Sequence, residues 1–287
     1  MATGPAPTGG RADLHAHTWY SDGRDSPERL IARAAEHGIQ LLAVTDHDTL
    51  AGLPEAESAG RAQGVEIVPG IEFSTYIRNV EVHVLGLWID PQCPALLQAV
   101  SGYEAMRRQR AERMVEKLNA LGVKLDFERV LAVERKGVFG RPHVAQALKD
   151  IGAVSAFQEA FSRFLGRDAP AYVSKQSLGA AETIAAIHAA GGVAVLAHGL
   201  VGGANRPHVE AVARLGIDAV ETVHPKLGPE QSAWLREFAG KAGLAISGGS
   251  DWHGEGWSEG RIGEWTIPLE AAAALRARAG GLVTKAG

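Results

Sequence analysis

Cysteine is nearly absent from this 287-residue sequence, which contains only Cys93. A single cysteine excludes an intrachain disulfide, and so low a content is typical of proteins from a reducing compartment. Long apolar runs are also missing, since no stretch reaches the roughly 20 residues that cross a bilayer. The N-terminal residues MATGPAPTGG have neither the basic region nor the apolar core of a signal peptide. We therefore expect a cytoplasmic protein without a membrane partner, preceded by a disordered tail at residues 1–10.

A strong charge of one sign is missing as well. The chain has 29 basic and 33 acidic residues, so its formal net charge is −4. Binding to a long nucleic-acid duplex would demand an extended basic track, which this balance does not provide. A local basic site for a small anion stays compatible with it. We therefore expect no long duplex as a partner, and the oligomeric state is left open.

Strands and helices alternate through the first and last thirds of the chain. Apolar strands such as IQLLAV and GVAVLA are separated by helical segments, of which one begins with Ser26 as N-cap and Pro27 at its first position. About seven such units are typical of a parallel α/β barrel or a distorted relative of one. The middle of the chain is mostly helical instead. We predict a barrel formed by residues 11–95 and 173–287, interrupted by a helical insertion at residues 96–172.

Polar residues follow many of the predicted strands. His15 and His17 share one face of a strand, because alternate residues of a strand point the same way, and Asp251 and His253 repeat that spacing near the last strand. The carboxyl ends of strands in parallel α/β folds form the active-site face. We therefore expect several strands to deliver ligands to one rim. The further candidates are His47, Glu72, His83 and His198.

Imidazole and carboxylate groups together indicate a transition-metal site. They suit Zn, Mn or Fe better than Ca or Mg. A single histidine at a strand end is usually an ordinary polar residue, so the combination of motifs carries the prediction. The candidates outnumber the four to six ligands of one metal. Two or three divalent metal ions that share a bridging carboxylate are therefore expected.

Three further aspartates lie near these motifs. Asp13 and Asp46 either hydrogen-bond to ligating imidazoles or simply close turns at strand edges, and the sequence leaves both roles open. Asp48 is expected to cap the helix that follows it.

The motifs DLHAHTWYSDG, VTDHD, PGIEF, VHVLG, GRPHVA, LAHG and SDWH occur in this order along nearly the whole chain. They resemble the polymerase-and-histidinol-phosphatase (PHP) superfamily of metal-dependent phosphoesterases. The GRPH motif after a helical insertion is most similar to the bacterial branch that acts on nucleoside 3′,5′-bisphosphates and short RNA. The resemblance implies a distorted seven-stranded (β/α)7 barrel that usually holds three metal ions, often Mn, Fe or Zn.

The resemblance also implies a role for each matching residue. One metal would be held by His15, His17 and Asp251, and Glu72 would bridge it to a second metal. The second metal would also be held by His83 and His143. The third would be held by Asp22, His47 and His253. His198 would act as a metal ligand or as a proton donor.

Two further residues are expected to face the substrate. Arg141 lies two residues before His143 and resembles the phosphate clamp of this branch, since a planar guanidinium suits phosphate. His224, in TVHPK, matches a His-Pro pair near the pocket of the branch.

The expected reaction is hydrolysis of a phosphate ester by a metal-activated water, with His198 or His253 protonating the leaving alkoxide. The expected substrates are nucleoside 3′,5′-bisphosphates, cleaved at the 3′-phosphate, or short 5′-phosphorylated RNA, and the insertion would act as a lid. The alternatives are a histidinol-phosphate-type phosphatase and a non-catalytic, metal-stabilised accessory module.

Overall fold

The structure is a computed structural model that describes residues 10–133 and 137–279. The chain divides into two compact units, one formed by residues 1–100 and 178–287 and the other by Ser101–Ser177. The insertion was predicted at residues 96–172, so the second unit begins and ends about five residues later. All but the last residue of the predicted tail lies outside the described residues. No described helix is both long and apolar enough to cross a bilayer.

The first unit is built around a sheet of eight described strands. In the order β7-β6-β5-β4-β3-β2-β1-β8, neighbouring strands are hydrogen-bonded. The strands are β1 (Arg11–Asp13), β2 (Ile39–Val44), β3 (Glu66–Ile77), β4 (Val80–Leu87), β5 (Val193–Ala197), β6 (Ala219–Val223), β7 (Ala245–Gly248) and β8 (Ile267–Pro268). The predicted α/β barrel-like fold with a helical insertion is confirmed, although the sheet has eight strands rather than seven.

Antiparallel pairing of β3 with β4 departs from a simple strand–helix alternation. The two strands are joined by Arg78 and Asn79, which both have positive φ, at 49° and 65°. A two-residue turn with this backbone matches the twist of neighbouring strands and makes a tight hairpin. As a result β4 also pairs antiparallel with β5. The pairs β1/β2, β2/β3, β5/β6 and β6/β7 are parallel.

The segments that follow β1 and β7 close the sheet. The Leu14 N–H donates to the Gly248 carbonyl at 3.1 Å, and the Asp251 N–H donates to the His15 carbonyl at 2.9 Å. The His17 N–H donates to the Trp252 carbonyl at 2.9 Å. The HxH segment therefore lies beside the DxH segment, although the two are far apart in the sequence.

Helices of the first unit pack against its sheet. In chain order the described helices are α1 (Pro27–Glu36), α2 (Leu53–Gln63), α3 (Pro94–Ala120), α4 (Phe127–Leu131), α5 (Arg141–Asp150), α6 (Phe157–Ala160), α7 (Ala180–Ala189), α8 (Arg206–Ala213), α9 (Pro229–Ala242) and α10 (Leu269–Arg276). Successive side chains of strand β2 point to opposite faces of the sheet. Its Leu41 packs in the cluster with Leu85 and Val195, whereas its Leu42 packs with Leu30 of α1.

The second unit is helical and has its own apolar core. It contains most of α3, the helices α4, α5 and α6, and a π-helical turn at Phe161–Leu165. The core residues Met114, Leu118, Val144, Leu148 and Leu165 are fully buried. A separate core of this kind is what an inserted domain needs in order to fold as a compact unit.

Candidate metal centre

Most of the predicted ligands lie just after strands of the sheet. His15 and His17 follow β1, and His47 follows β2. His198 follows β5 directly, and Asp251 and His253 follow β7. Two predicted ligands lie within the hairpin strands instead. Glu72 of β3 pairs with Leu85, and His83 of β4 pairs with Ser74.

Glu72 is at the centre of the cluster and is fully buried. Its Oε2 lies 3.2 Å from His15 Nε2, 3.1 Å from His17 Nε2 and 3.3 Å from His47 Nδ1. Its Oε1 lies 2.8 Å from His83 Nδ1 and 3.2 Å from His198 Nε2. One carboxylate therefore faces five imidazoles, which is the position that a bridging ligand needs.

Among the described residues, the ligand atoms fall into four overlapping groups, each compact enough to surround a metal ion. The groups are His15/His17/Glu72/Asp251, His17/Asp22/His47/His253, His47/Glu72/His83 and His15/Glu221/His224. The first two contain complete ligand sets that the family resemblance implied, and the third contains two members of the remaining set. Arg141 and His143 belong to the second compact unit, and their roles stay predictions.

The chemistry of the donors fits transition metals. Both ring nitrogens of His17, the Nδ1 of His47 and the Nε2 of His224 are buried and lack a well-aligned hydrogen bond among the described residues, although carboxylate oxygens lie 3.1–3.3 Å from three of these atoms. Buried polar atoms normally have partners, because an unsatisfied one is costly. Lone pairs directed into a cluster of carboxylates are the arrangement that a divalent cation satisfies. The residues present therefore fit a metal centre of nitrogen and oxygen donors.

Charges within the cluster shift its pKa values strongly. Burial alone would raise the pKa of Glu72, but the neighbouring His47, His15 and His83 hold it well below its usual range. Burial alone would lower the pKa of His17, but the carboxylates of Asp251 and Glu72 raise it to about 10. Burial dominates at His47 and lowers its pKa to about 4. These charges thus favour a protonated ring at His17 and a neutral ring at His47.

Glu221 is a site residue that the sequence analysis missed. It lies in β6 and is fully buried. Its Oε1 is 3.1 Å from His15 Nδ1, and its Oε2 accepts the His198 N–H at 2.8 Å. A carboxylate behind a ligating histidine orients the ring and makes it a stronger ligand. The signal in the sequence is the isolated glutamate of the apolar strand AVETV.

Lys226 was also missed. Its Nζ lies 2.8 Å from Asp251 Oδ2. It lines a cavity of about 150 Å³ together with His83 and His198. A lysine at the wall of a cavity beside metal ligands is suited to bind a phosphate oxygen. Its signal is weak in a single sequence, because a lysine after a His-Pro pair resembles an ordinary loop residue.

His224 is almost fully buried, with 1% of its surface exposed. Its Nε2 lies 3.3 Å from Asp251 Oδ2 and 4.0 Å from Glu221 Oε2. The residue predicted to face the substrate thus lies behind Asp251, among the carboxylates of the cluster.

The three aspartates near the motifs accept hydrogen bonds from backbone N–H groups and from a nearby hydroxyl. Asp13 Oδ1 accepts the Ser250 N–H at 3.0 Å, and burial raises its pKa to about 6. Asp46 accepts the Thr18 hydroxyl at 2.6 Å. Asp48 accepts the Ser74 N–H at 2.9 Å, while α2 has Gly52 as its N-cap, so the predicted helix cap is wrong.

Comparison with known proteins gives consistent matches. Residues 13–136 match the family model of the PHP domain. A 5′-3′ exoribonuclease of Haemophilus influenzae is 35% identical over 252 residues, which cover 86% of this chain and 92% of the relative. A 3′,5′-nucleoside bisphosphate phosphatase of Chromobacterium violaceum is 34% identical over 249 residues, which cover 85% of this chain and 87% of the relative.

A solved structure is similar over almost the whole chain. It is the crystal structure of a candidate metal-dependent phosphoesterase from Bifidobacterium adolescentis, with 31% sequence identity and a TM-score of 0.79. The similarity covers 97% of this chain and 99% of that one. The likeness therefore includes both the sheet and the inserted segment.

Proposed function

The chain belongs to the PHP family of metal-dependent phosphoesterases, as its motifs predicted, and from this we propose that it removes the 3′-phosphate of nucleoside 3′,5′-bisphosphates. Short 5′-phosphorylated RNA is the second proposed substrate. The relatives named for these two activities each align with more than four fifths of the chain. Enzymatic relatives of this extent argue against the alternative of a non-catalytic accessory module.

The observation that carries the proposal is the position of Glu72 among five imidazoles. We assign His15, His17 and Asp251 with Glu72 to one metal, and Asp22, His47 and His253 to another. Glu72 and His83 would hold a further metal, with His143 as the predicted additional ligand. When bound, these ions would activate water as the nucleophile and offset negative charge on the phosphate.

The proton donor for the leaving oxygen is assigned to His198. The Nδ1 of His253 lies 2.8 Å from the Asp251 carbonyl, which can only accept a hydrogen bond. The Nε2 of His253 lies 3.2 Å from Asp22, in one of the ligand groups, so we assign this nitrogen to a metal rather than to the leaving oxygen. His198 is in none of the four ligand groups found among the described residues. Its place on the cavity wall lets it reach the leaving group.

Two cations are assigned to the phosphates of the substrate. Lys226, on the cavity wall, would hold a non-bridging oxygen of the phosphate that is cleaved. Arg141 is proposed as the clamp for the 5′-phosphate. A ligand with two phosphates uses both cations, whereas a 5′-monophosphate uses one at a time. This difference is the proposed source of selectivity.

Steady-state kinetics on a panel of substrates tests the proposal. The panel contains adenosine 3′,5′-bisphosphate, adenosine 5′-monophosphate, histidinol phosphate and a 5′-phosphorylated trinucleotide. We expect kcat/KM to be higher for the bisphosphate than for the monophosphate. A charge-assisted phosphate contact contributes about 1.5–3 kcal/mol, so Arg141→Ala should narrow this gap by roughly ten- to a hundredfold.

A wild-type enzyme without preference for the bisphosphate would contradict the proposed substrate. If Arg141→Ala keeps the full preference for the bisphosphate, only the proposed role of Arg141 is wrong, and the proposed substrate still stands. Lys149→Ala, which removes a cation from the exposed end of the same helix, is the matched control and should leave the gap unchanged.

A further inference from the structure

Trp257 is unusually exposed for its size. It keeps 64% of its surface accessible, more than any other large hydrophobic residue among those described. The guanidinium of Arg24 lies over its ring, 3.8 Å from the centroid. Single exposed apolar residues are common. An indole with a cation against it is a more specific arrangement, because this pair presents both an aromatic surface and a positive charge.

The neighbouring Trp252 shows what a structural tryptophan looks like in this part of the chain. Trp252 is 5% exposed, and its Nε1 donates to Asp25 Oδ2 at 3.0 Å. It packs in the apolar cluster that contains Leu30 and Ile31. Trp257 belongs to no apolar cluster formed by the described residues. Packing of the core therefore does not account for its side chain.

The Arg24–Trp257 pair lies beside one of the ligand groups. Arg24 follows Asp22 by two residues, and its N–H donates to the His253 carbonyl at 2.9 Å. Trp257 follows His253 by four residues, and its N–H donates to the Gly254 carbonyl at 3.1 Å. Asp22 and His253 themselves are 3.2 Å apart. Both members of the pair are thus fixed to the loops that carry two ligands of the same proposed metal.

We propose that Trp257 and Arg24 form a stacking platform for a nucleobase of the substrate. The inference rests on the proposed function and extends it to substrate recognition. Aromatic side chains bind bases by stacking with little dependence on sequence, because every base has a π-face. The charge of Arg24 adds attraction for the adjoining phosphate. The platform would hold a base while its neighbouring phosphate occupies the metal centre.

Binding and kinetics with altered trinucleotides test the platform. The ligands are a 5′-phosphorylated trinucleotide and three analogues, each of which lacks one base. Trp257→Ala should weaken binding of the intact trinucleotide by roughly five- to a hundredfold, the range found for loss of one stacked base. For one of the three analogues the loss should be much smaller, because the stacked base is already missing. Trp257→Phe should restore most of the affinity.

A hydrolysis-resistant phosphorothioate trinucleotide with a fluorescent label reports the affinity by anisotropy, separately from turnover. Leu215→Ala, which removes another exposed hydrophobic side chain from the same compact unit, is the control and should leave all affinities unchanged. Equal losses for the intact ligand and all three analogues, or no loss at all, would overturn the platform. Base-dependent binding that Trp257→Ala weakens, in a protein that cleaves no nucleotide, would support the platform and overturn the proposed function instead.

Discussion

Glu72 shows how much of the site depends on a single side chain. Its two oxygens face five imidazoles within 3.3 Å. In Glu72→Gln, an amide group that can only donate replaces one of these acceptors. We expect the variant to lose bound metal, and to lose more activity than the roughly 10- to 100-fold typical of residues behind the ligands. Metal content by elemental analysis and kcat with the preferred substrate measure both effects.

The exposed Glu66 of the same strand provides the control, and Glu66→Gln should keep its metal and its activity. His83→Ala removes a ligand that the bridging model treats as terminal. If it costs more activity than Glu72→Gln, Glu72 is not the bridge.

For Glu221 we make a different prediction, because its carboxylate contacts His15 rather than a proposed metal. Glu221→Gln keeps the size of the side chain but removes the charge that accepts the His15 Nδ1 proton. We expect metal affinity to fall by roughly 10- to 100-fold. Isothermal titration with Mn²⁺ measures the change, and circular dichroism confirms the fold. Glu237→Gln, on the exposed face of α9, should have no effect. Unchanged affinity in Glu221→Gln would show that His15 needs no orienting carboxylate.

Much of the site could be predicted from residue types and spacing. His15, His17, Asp251 and Glu72 do come together, because strands aligned in one sheet bring their ligands to one end. The sequence analysis did not identify Glu221 as a site residue, because a lone glutamate in an apolar strand has no motif around it. The role of Asp48 depends on its contact with Ser74, a partner 26 residues away, which local sequence does not reveal.

At the scale of elements, the contact between the segments after β1 and β7 depends on small residues. A Cβ on Gly249 would lie 2.5 Å from the backbone nitrogen of His15. Gly249→Ala should therefore push the HxH segment away from the DxH segment. We expect the free energy of unfolding to fall by about 1–3 kcal/mol, together with a loss of metal affinity. Urea denaturation and metal titration measure the two effects.

Gly240 of α9 offers a matched control. Outside the neighbouring backbone of α9, a Cβ there meets no atom within 4 Å. Gly240→Ala should be neutral, or stabilise the helix by up to about 1 kcal/mol. Similar destabilisation by both variants would indicate that the close approach of Gly249 is not the cause.

Some elements could be predicted from local signals and others could not. Helix α1 has the expected cap, since Ser26 accepts the Arg29 N–H at 3.2 Å. The antiparallel direction of β4 was missed because the turn at Arg78 and Asn79 contains no glycine to mark it. Strand β8 has only two residues. Such a segment has no periodicity of its own and forms because β1 is there to pair with it.

For the whole molecule, the charges of the site couple stability to pH. The carboxylates raise the pKa of His17 from 6.5 to about 10 in the folded, metal-free protein, although burial opposes this. A group whose pKa is raised by folding contributes its full stabilisation at a pH below its pKa in the unfolded state. This contribution is lost as the pH rises through the pKa of the group in the folded state. We expect the chelated protein to become less stable between pH 6.5 and 10. Urea midpoints across this range measure the decline.

Bound metal should remove this dependence, because it replaces the protons on the imidazoles. The metal-loaded protein should keep its stability across the same range, and its metal affinity should rise with pH. His17→Gln should flatten the decline of the chelated protein. A decline of equal slope in the loaded protein would indicate that groups outside the cluster cause it.

Closure of the sheet also determines when the metal ligands can come together during synthesis of the chain. Asp13 and Ser250, which are hydrogen-bonded beside the cluster, are 237 residues apart. At the usual rate of about 5–20 residues per second, the ribosome needs roughly 10 to 50 s to extend the chain from the first ligand to the last pair. During that time His15, His17 and His47 lack the ligands that follow β7. Loading of the two proposed metals that use Asp251 or His253 is therefore a late event in biosynthesis, because it waits for the segment after β7 to emerge.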